Sequence, residues 1–220
     1  MNILVIGASR GIGLELVRQY RETGARVIAT ARDAVGMQRI EGLGAQPMAL
    51  NLDDVSSVSG LGWQLDGEKI DIVWYVAGVL AGGNVGDPPP ESVFDHVMRT
   101  NVLAPMRVLP QLAEVLAPEG RLVVLSSRMG SMGLRANGNN WLYRASKAAV
   151  NSVVKDMSFG LPDKAICVAM HPGWVKTDMG GAGADLDVVQ SVADMRATVA
   201  GLGHKHNGTF INHDGQALAW

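Results

Sequence analysis

Along the 220 residues, short apolar runs rich in β-branched side chains alternate with longer stretches whose apolar positions recur every three or four residues. The short runs predict strands at Asn2–Ile6, Arg26–Thr30, Gln46–Leu50, Asp71–Val76, Arg121–Ser126, Ala165–Met170 and Thr209–Asn212. The longer stretches predict helices near Gly11–Thr23, Asp33–Glu41, Asp54–Trp63, Glu91–Leu116, Trp141–Phe159 and Asp185–Ala200. Strands apolar at successive positions are covered on both faces, which means a parallel sheet between helical layers. The βαβα order therefore predicts an α/β, doubly wound, Rossmann-type fold with a seven-stranded parallel sheet, helices on both faces and right-handed crossovers. Pro88-Pro89-Pro90 marks a loop, and no repeat or linker divides the chain, so residues 1–220 are expected to form one domain.

Composition narrows the class of function. Apolar residues make up 47% and charged residues 18%, enough for a substantial core and against disorder. A formal net charge of −2 gives no electrostatic basis for binding nucleic acid or an anionic membrane. A single cysteine, Cys167, excludes an internal disulfide framework and suits a reducing compartment. The first residues carry no basic leader or cleavage site and no run is long and apolar enough to span a bilayer, so a cytoplasmic protein is expected.

The first predicted strand runs directly into Gly7-Ala-Ser-Arg-Gly11-Ile-Gly13, and a helix follows. Free N–H groups at the positive end of a helix dipole attract phosphate. Gly7 would permit the tight turn, Gly11 the close approach of a ligand, and Gly13 close packing of helix on strand. Three glycines alone also describe a plain sharp turn; their place in the first strand–helix unit of a parallel sheet favours a dinucleotide. After the second strand the chain reads Thr30-Ala31-Arg32, with no acid to hold a ribose 2′-hydroxyl, and Arg10 sits in the glycine loop. Two guanidinium groups suit the 2′-phosphate of NADP(H). Arg32 also reads as a solvated charge, and Asp33 as a helix N-cap.

Tyr143 and Lys147 stand four apart in a predicted helix, so both emerge on one face. Ser126 and Ser127 end a buried strand at the carboxyl edge, where ligands bind in this architecture. A phenol with a pKa near 10 can donate a proton but is seldom ionised at neutral pH. A close cation such as Lys147 is expected to favour the phenolate; moving a phenol from about 10 to about 8 requires only about 2.7 kcal/mol.

The Gly-x-x-x-Gly-x-Gly loop, Ala77-Gly78, Asn101, Ser127, Tyr143 with Lys147, and His171-Pro-Gly-Trp-Val-Lys-Thr-Asp178 occur in an order that resembles the short-chain dehydrogenase/reductase family over nearly the whole chain. The stretches His171–Gly181 and Gly208–Trp220 are similar to its small carbonyl-reductase branch. The resemblance implies a catalytic set of Asn101, Ser127, Tyr143 and Lys147. Tyr143 would be the general acid, Ser127 would hold the carbonyl oxygen, Lys147 would bind the nicotinamide ribose and lower the phenol pKa, and Asn101 would position a proton-relaying water. It implies cofactor contacts from Gly7, Ser9, Arg10, Gly11, Ile12, Gly13, Arg32, Asn51, Leu52, Ala77, Gly78, Tyr143, Lys147, Pro172, Gly173, Val175 and Thr177. The chain departs from the family at Ile6, where threonine is usual, at Tyr75-Val76, where two asparagines are usual, and in a longer Ser127–Tyr143 spacing.

The expected function is an NADPH-dependent oxidoreductase moving a hydride between nicotinamide and an aldehyde or ketone, or the corresponding alcohol. A nucleotide-binding signalling protein with little turnover, or a hydratase, isomerase or epimerase on the same fold, are the alternatives. The resemblance also implies a homodimer or homotetramer through the helices near Glu91–Leu116 and Trp141–Phe159. Trp141, Trp174, Met132 and Leu134 are candidates to line an apolar substrate pocket or simply to pack. The His204-x-His206 pair has no evident third ligand, and no metal site is expected.

Overall fold

A computed structural model describes residues 1–162 and 164–220. Seven strands, β1 (Asn2–Ile6), β2 (Arg26–Ala31), β3 (Gln46–Ala49), β4 (Ile70–Tyr75), β5 (Leu116–Leu125), β6 (Ile166–His171) and β7 (Thr209–Asn212), form one sheet in the order β3-β2-β1-β4-β5-β6-β7. Every neighbouring pair is parallel. The helices are α1 (Gly11–Glu22), α2 (Ala34–Gly42), α3 (Val55–Ser59), α4 (Leu61–Gln64), α5 (Glu91–Met98), α6 (Ala104–Glu114), α7 (Trp141–Met157) and α8 (Val188–Ala200).

Successive strand side chains point to opposite faces, so the apolar runs divide into two cores. Ile3, Val5, Trp74, Val123 and Val168 pack with Leu16 and Val17 of α1 and with Met195 and Val199 of α8. Leu4, Ile6, Val73, Tyr75 and Val124 pack with Leu109 and Leu112 of α6 and with Val150 and Val154 of α7. The doubly wound fold expected from the pattern is present. The strand order reverses between β1 and β4, and loops diverging there open a crevice at the carboxyl edge.

The expected helix Glu91–Leu116 is three segments. After α5 the chain widens into a π-helical turn, Arg99–Leu103, then tightens into α6, and Leu116 already belongs to β5. Pro105 follows this turn and carries no N–H, so the Asn101 carbonyl lacks its α-helical donor. The single helix expected at Asp54–Trp63 is interrupted at Gly60. Among the described residues no helix is long and apolar enough to cross a membrane.

Candidate active site

The glycine loop is held from behind. The Gly7 N–H donates to the Thr30 hydroxyl at 3.0 Å, and the Ala8 N–H to the Thr30 carbonyl at 2.8 Å, tying the loop to β2. Gly7 has φ +90°, and a Cβ there would sit 2.9 Å from Ala77. A Cβ on Gly13 would stand 2.1 Å from the Gly7 carbonyl oxygen, so α1 packs directly on the loop only because that side chain is missing. Arg10 is the N-cap residue of α1 but its side chain caps nothing, leaving the first-turn N–H groups without a side-chain acceptor. These features suit a phosphate at the helix N-terminus.

A cleft of about 550 Å³ runs from this loop along the carboxyl edge. Gly7, Ser9, Arg10, Gly11, Ile12, Arg32, Asn51, Leu52, Ala77, Gly78 and Thr177 all line it. Gly13 lies behind the loop instead, buried in the helix–strand contact. Asp33 accepts from the Gly36 N–H at 2.7 Å, so it is the α2 N-cap, while Arg32 is exposed on the cleft wall. Arg39 also lines the cleft and donates to the Ser9 carbonyl at 3.2 Å. Nothing in its sequence neighbourhood singled it out; the contact depends on α2 packing against the glycine loop.

Beyond its other end, past Gly78 and Leu125, stand the buried side chains of Tyr143 and Lys147 on α7, which with Ser127 lie outside the residues that line the cleft. The Lys147 ammonium donates to the Leu125 carbonyl at 3.0 Å and lies 5.8 Å from the Tyr143 ring centroid. Ser127 leaves β5 in extended conformation and starts the tight turn Arg128–Gly130, its hydroxyl accepting from the Met129 N–H at 3.1 Å. A Cβ on Gly130 would come within 2.7 Å of the Lys147 backbone, so this glycine lets the turn lie flat on α7. The long Ser127–Tyr143 spacing is folded around Arg144. Its guanidinium donates to the Asn139 carbonyl and to the Asn137 side chain, both at 2.7 Å. Asn140, at φ +51°, turns the chain into α7.

Asn101, in the π turn, clamps the loop after β4: it accepts from the Val79 N–H and donates to the Val79 carbonyl, each at 2.8 Å. Its amide also donates to Ser146 at 3.0 Å, and Ser146 donates to the Tyr143 carbonyl at 2.8 Å. The side chain expected to position a water is therefore committed to bracing the loop and α7. The Tyr75 hydroxyl is buried without a partner among the described residues, and nothing in the structure explains it. Gly78 is where the cleft meets this buried group, a Cβ there falling 3.3 Å from Asn101 Oδ1 and 3.4 Å from Lys147 Nζ.

Burial pushes the Tyr143 phenol up to about 12, the adjacent Ser127 hydroxyl working the other way. The lowering expected from Lys147 is absent: its amine points to Leu125, and desolvation decides the outcome. Burial brings Lys147 itself down to about 8. His171, at the end of β6, is pushed down to about 4 by burial, with Arg128 and His213 acting in the same direction, so it stays neutral. Past it, Pro172 and Gly173 are half-buried, and the Val175 N–H finds no acceptor among the described residues. Trp174, Met132 and Leu134 are exposed, and Trp141 is half-buried beside Gly83.

A family model described as short chain dehydrogenase matches residues 1–185. The chain belongs to the short-chain dehydrogenase family. It is similar to the carbonyl reductase Sniffer of D. melanogaster, with a TM-score of 0.92 and 28% identity, covering 100% of this chain and 99% of that one. A carbonyl reductase from Pseudomonas aeruginosa PAO1 in complex with NADP gives 0.84 and 32%, covering 100% and 99%. The C-signal protein of Myxococcus xanthus is 39% identical over 123 residues, 54% of this chain and 74% of that protein. This chain is an NAD(P)-dependent oxidoreductase of the carbonyl-reductase branch.

Proposed function

We propose that this enzyme reduces aldehydes or ketones with NADPH, Tyr143 giving the proton. The observation that carries the reading is the buried Tyr143–Lys147 pair beside Ser127, its lysine reaching Leu125 and Gly78, which line a glycine-walled cleft. The glycine loop and the first-turn N–H groups of α1 would hold the diphosphate, Asn51 and Leu52 the adenine side, and Lys147, Val175 and Thr177 the nicotinamide half. When bound, the nicotinamide supplies the hydride.

The chain's own residues handle the proton. A phenol raised to about 12 is fully protonated through the physiological range, as a general acid must be. Ser127 and Tyr143 would donate to the carbonyl oxygen as it gains negative charge. Charge left on the phenol after transfer would be stabilised by Ser127 and the Lys147 ammonium. An amine near 8 gains and loses protons readily at neutral pH, so Lys147 is matched to reprotonating Tyr143. With its side chain engaged, Asn101 would offer its backbone carbonyl, without an α-helical donor beyond Pro105, to a proton-carrying water.

Arg10 and Arg32 line the adenosine end and Ala31 supplies no carboxylate, which supports NADP(H) over NAD(H). An apolar hollow of about 740 Å³ bounded by Met106, Pro110, Val153 and Met157 supports homo-oligomers formed through α6 and α7. The single buried thiol, Cys167, fits a reducing compartment such as the cytoplasm. The likeness to C-signal favours a second reading, a signalling protein that binds nucleotide without useful turnover. Absorbance at the reduced-cofactor band, followed with a panel of aldehydes and ketones, tests the first reading. Turnover with NADPH at a higher kcat/KM than with NADH is expected; no consumption with any carbonyl, or equal use of NADH, contradicts it.

A further inference from the structure

The guanidinium proposed for the adenosine phosphate already has a partner. Arg10 Nη1 donates to Asp178 Oδ2 at 2.9 Å. Both residues line the cleft, from opposite walls: Arg10 caps α1, and Asp178 lies on the segment after β6. Next to the pair, Thr177 comes to 3.6 Å of where a Gly11 Cβ would be. The ion pair thus straps the glycine loop to the loop proposed for the nicotinamide.

The three cations on this part of the cleft are not equivalent. Arg39 is tied to the Ser9 carbonyl, and Arg32 has no carboxylate partner among the described residues. Arg10 alone of them is held by an acid. A carboxylate and a phosphate compete for the same guanidinium N–H groups, because both present oxygens that match its fork. The Arg10 and Asp178 side chains are 70% and 75% exposed, so water screens the pair and exchange is easy.

We infer that Asp178 is a specificity-determining residue: it competes with the 2′-phosphate of NADP(H) for Arg10 and so limits how strongly the phosphorylated cofactor is preferred. A cofactor without that phosphate leaves the strap closed; one that carries it takes over the Arg10 fork and frees Asp178. The inference rests on the proposed role of Arg10 in holding the 2′-phosphate.

Calorimetric titration with 2′,5′-ADP and with 5′-AMP tests it without turnover, using wild type, Asp178→Asn, Arg10→Ala and the double variant. Asp178→Asn is expected to bind 2′,5′-ADP about two- to fivefold more tightly, the scale of an exposed ion pair, and to leave 5′-AMP unchanged. In the Arg10→Ala background the same substitution is expected to give no gain. An equal gain for both ligands, or a gain that persists without Arg10, would mean that Asp178 acts only through the general field of the cleft and would overturn the competition. So would an unchanged affinity of Asp178→Asn for 2′,5′-ADP. If wild type binds the two fragments equally, the phosphate reading fails, and the competition with it. A wild type that prefers 2′,5′-ADP, with no response to Asp178→Asn, sinks the competition alone.

Discussion

At the glycine-loop end of the cleft the charged groups stand in water. Arg10 and Arg32 are exposed, and the strap to Asp178 joins two largely solvated side chains. At the other end Tyr143, Lys147 and Ser127 are all buried, and burial has moved the first two to about 12 and about 8. An exposed ion pair contributes about 0–1 kcal/mol, whereas a displaced pKa corresponds to about 1.4 kcal/mol per tenfold change in acidity. The solvated end is therefore adjustable in small steps, which suits cofactor choice. The dry end keeps the Tyr143 phenol protonated and sets the Lys147 amine close to neutral pH, which suits the proposed proton transfer.

Substitutions at the dry end carry the larger effects. Ser127→Ala removes the donor proposed for the developing oxyanion and is expected to lower kcat by about 10²–10³ with nucleotide affinity nearly unchanged. A parallel loss of affinity, measured by titration, would mean that the two ends are not separable. Lys147→Met trades function for stability. The Lys147 pKa lies below the ordinary 10.5, so between about pH 8 and 10.5 the folded chain holds fewer protons than the unfolded one, and its stability rises with pH in that window. Below pH 8 the buried ammonium is a cost. The methionine variant should thus melt above wild type at pH 7, by about 2–4 °C per kcal/mol relieved, and the gap should close as the pH climbs from 8 towards 10. A pH-independent gap in the melting temperatures would contradict the buried charge.

The solvated end should respond less. Arg32→Ala is expected to lower the NADPH-to-NADH ratio of kcat/KM by about tenfold, the loss of one charge-assisted hydrogen bond. The deficit should shrink further in high salt, because the site is exposed. A ratio that does not move would relocate cofactor choice away from β2. Asp178→Asn stands at the small end of the series.

Much of this division was legible in the sequence. The apolar runs of β1 and β7 end where the strands do, the glycine loop was marked by its place between the first strand and helix, and Tyr143 with Lys147 by spacing together with the family resemblance. What escaped depends on contacts between distant segments. Thr30 and Arg39 hold the glycine loop from β2 and α2, and Asp178 reaches Arg10 across 168 positions. The π turn inside Glu91–Leu116 was missed although Pro105 and Pro110, which lack the N–H that a regular helix needs, were marks of irregularity in α6. The commitment of the Asn101 amide to Val79 could not be read from a helix position. The raised Tyr143 phenol escaped for a related reason: four-residue spacing brings the lysine near but does not say how dry the pocket is.

Tyr143→Phe tests the central claim most directly, because it removes one hydroxyl from the dry end and touches nothing at the other. With NADPH saturating and a reducible carbonyl from the panel, the variant should lose about 10²–10⁴ in kcat, while its NADPH affinity, titrated on the same sample, stays within about twofold of wild type. A variant that turns over as fast as wild type would contradict Tyr143 as the proton donor, and with it the account of how this cleft works.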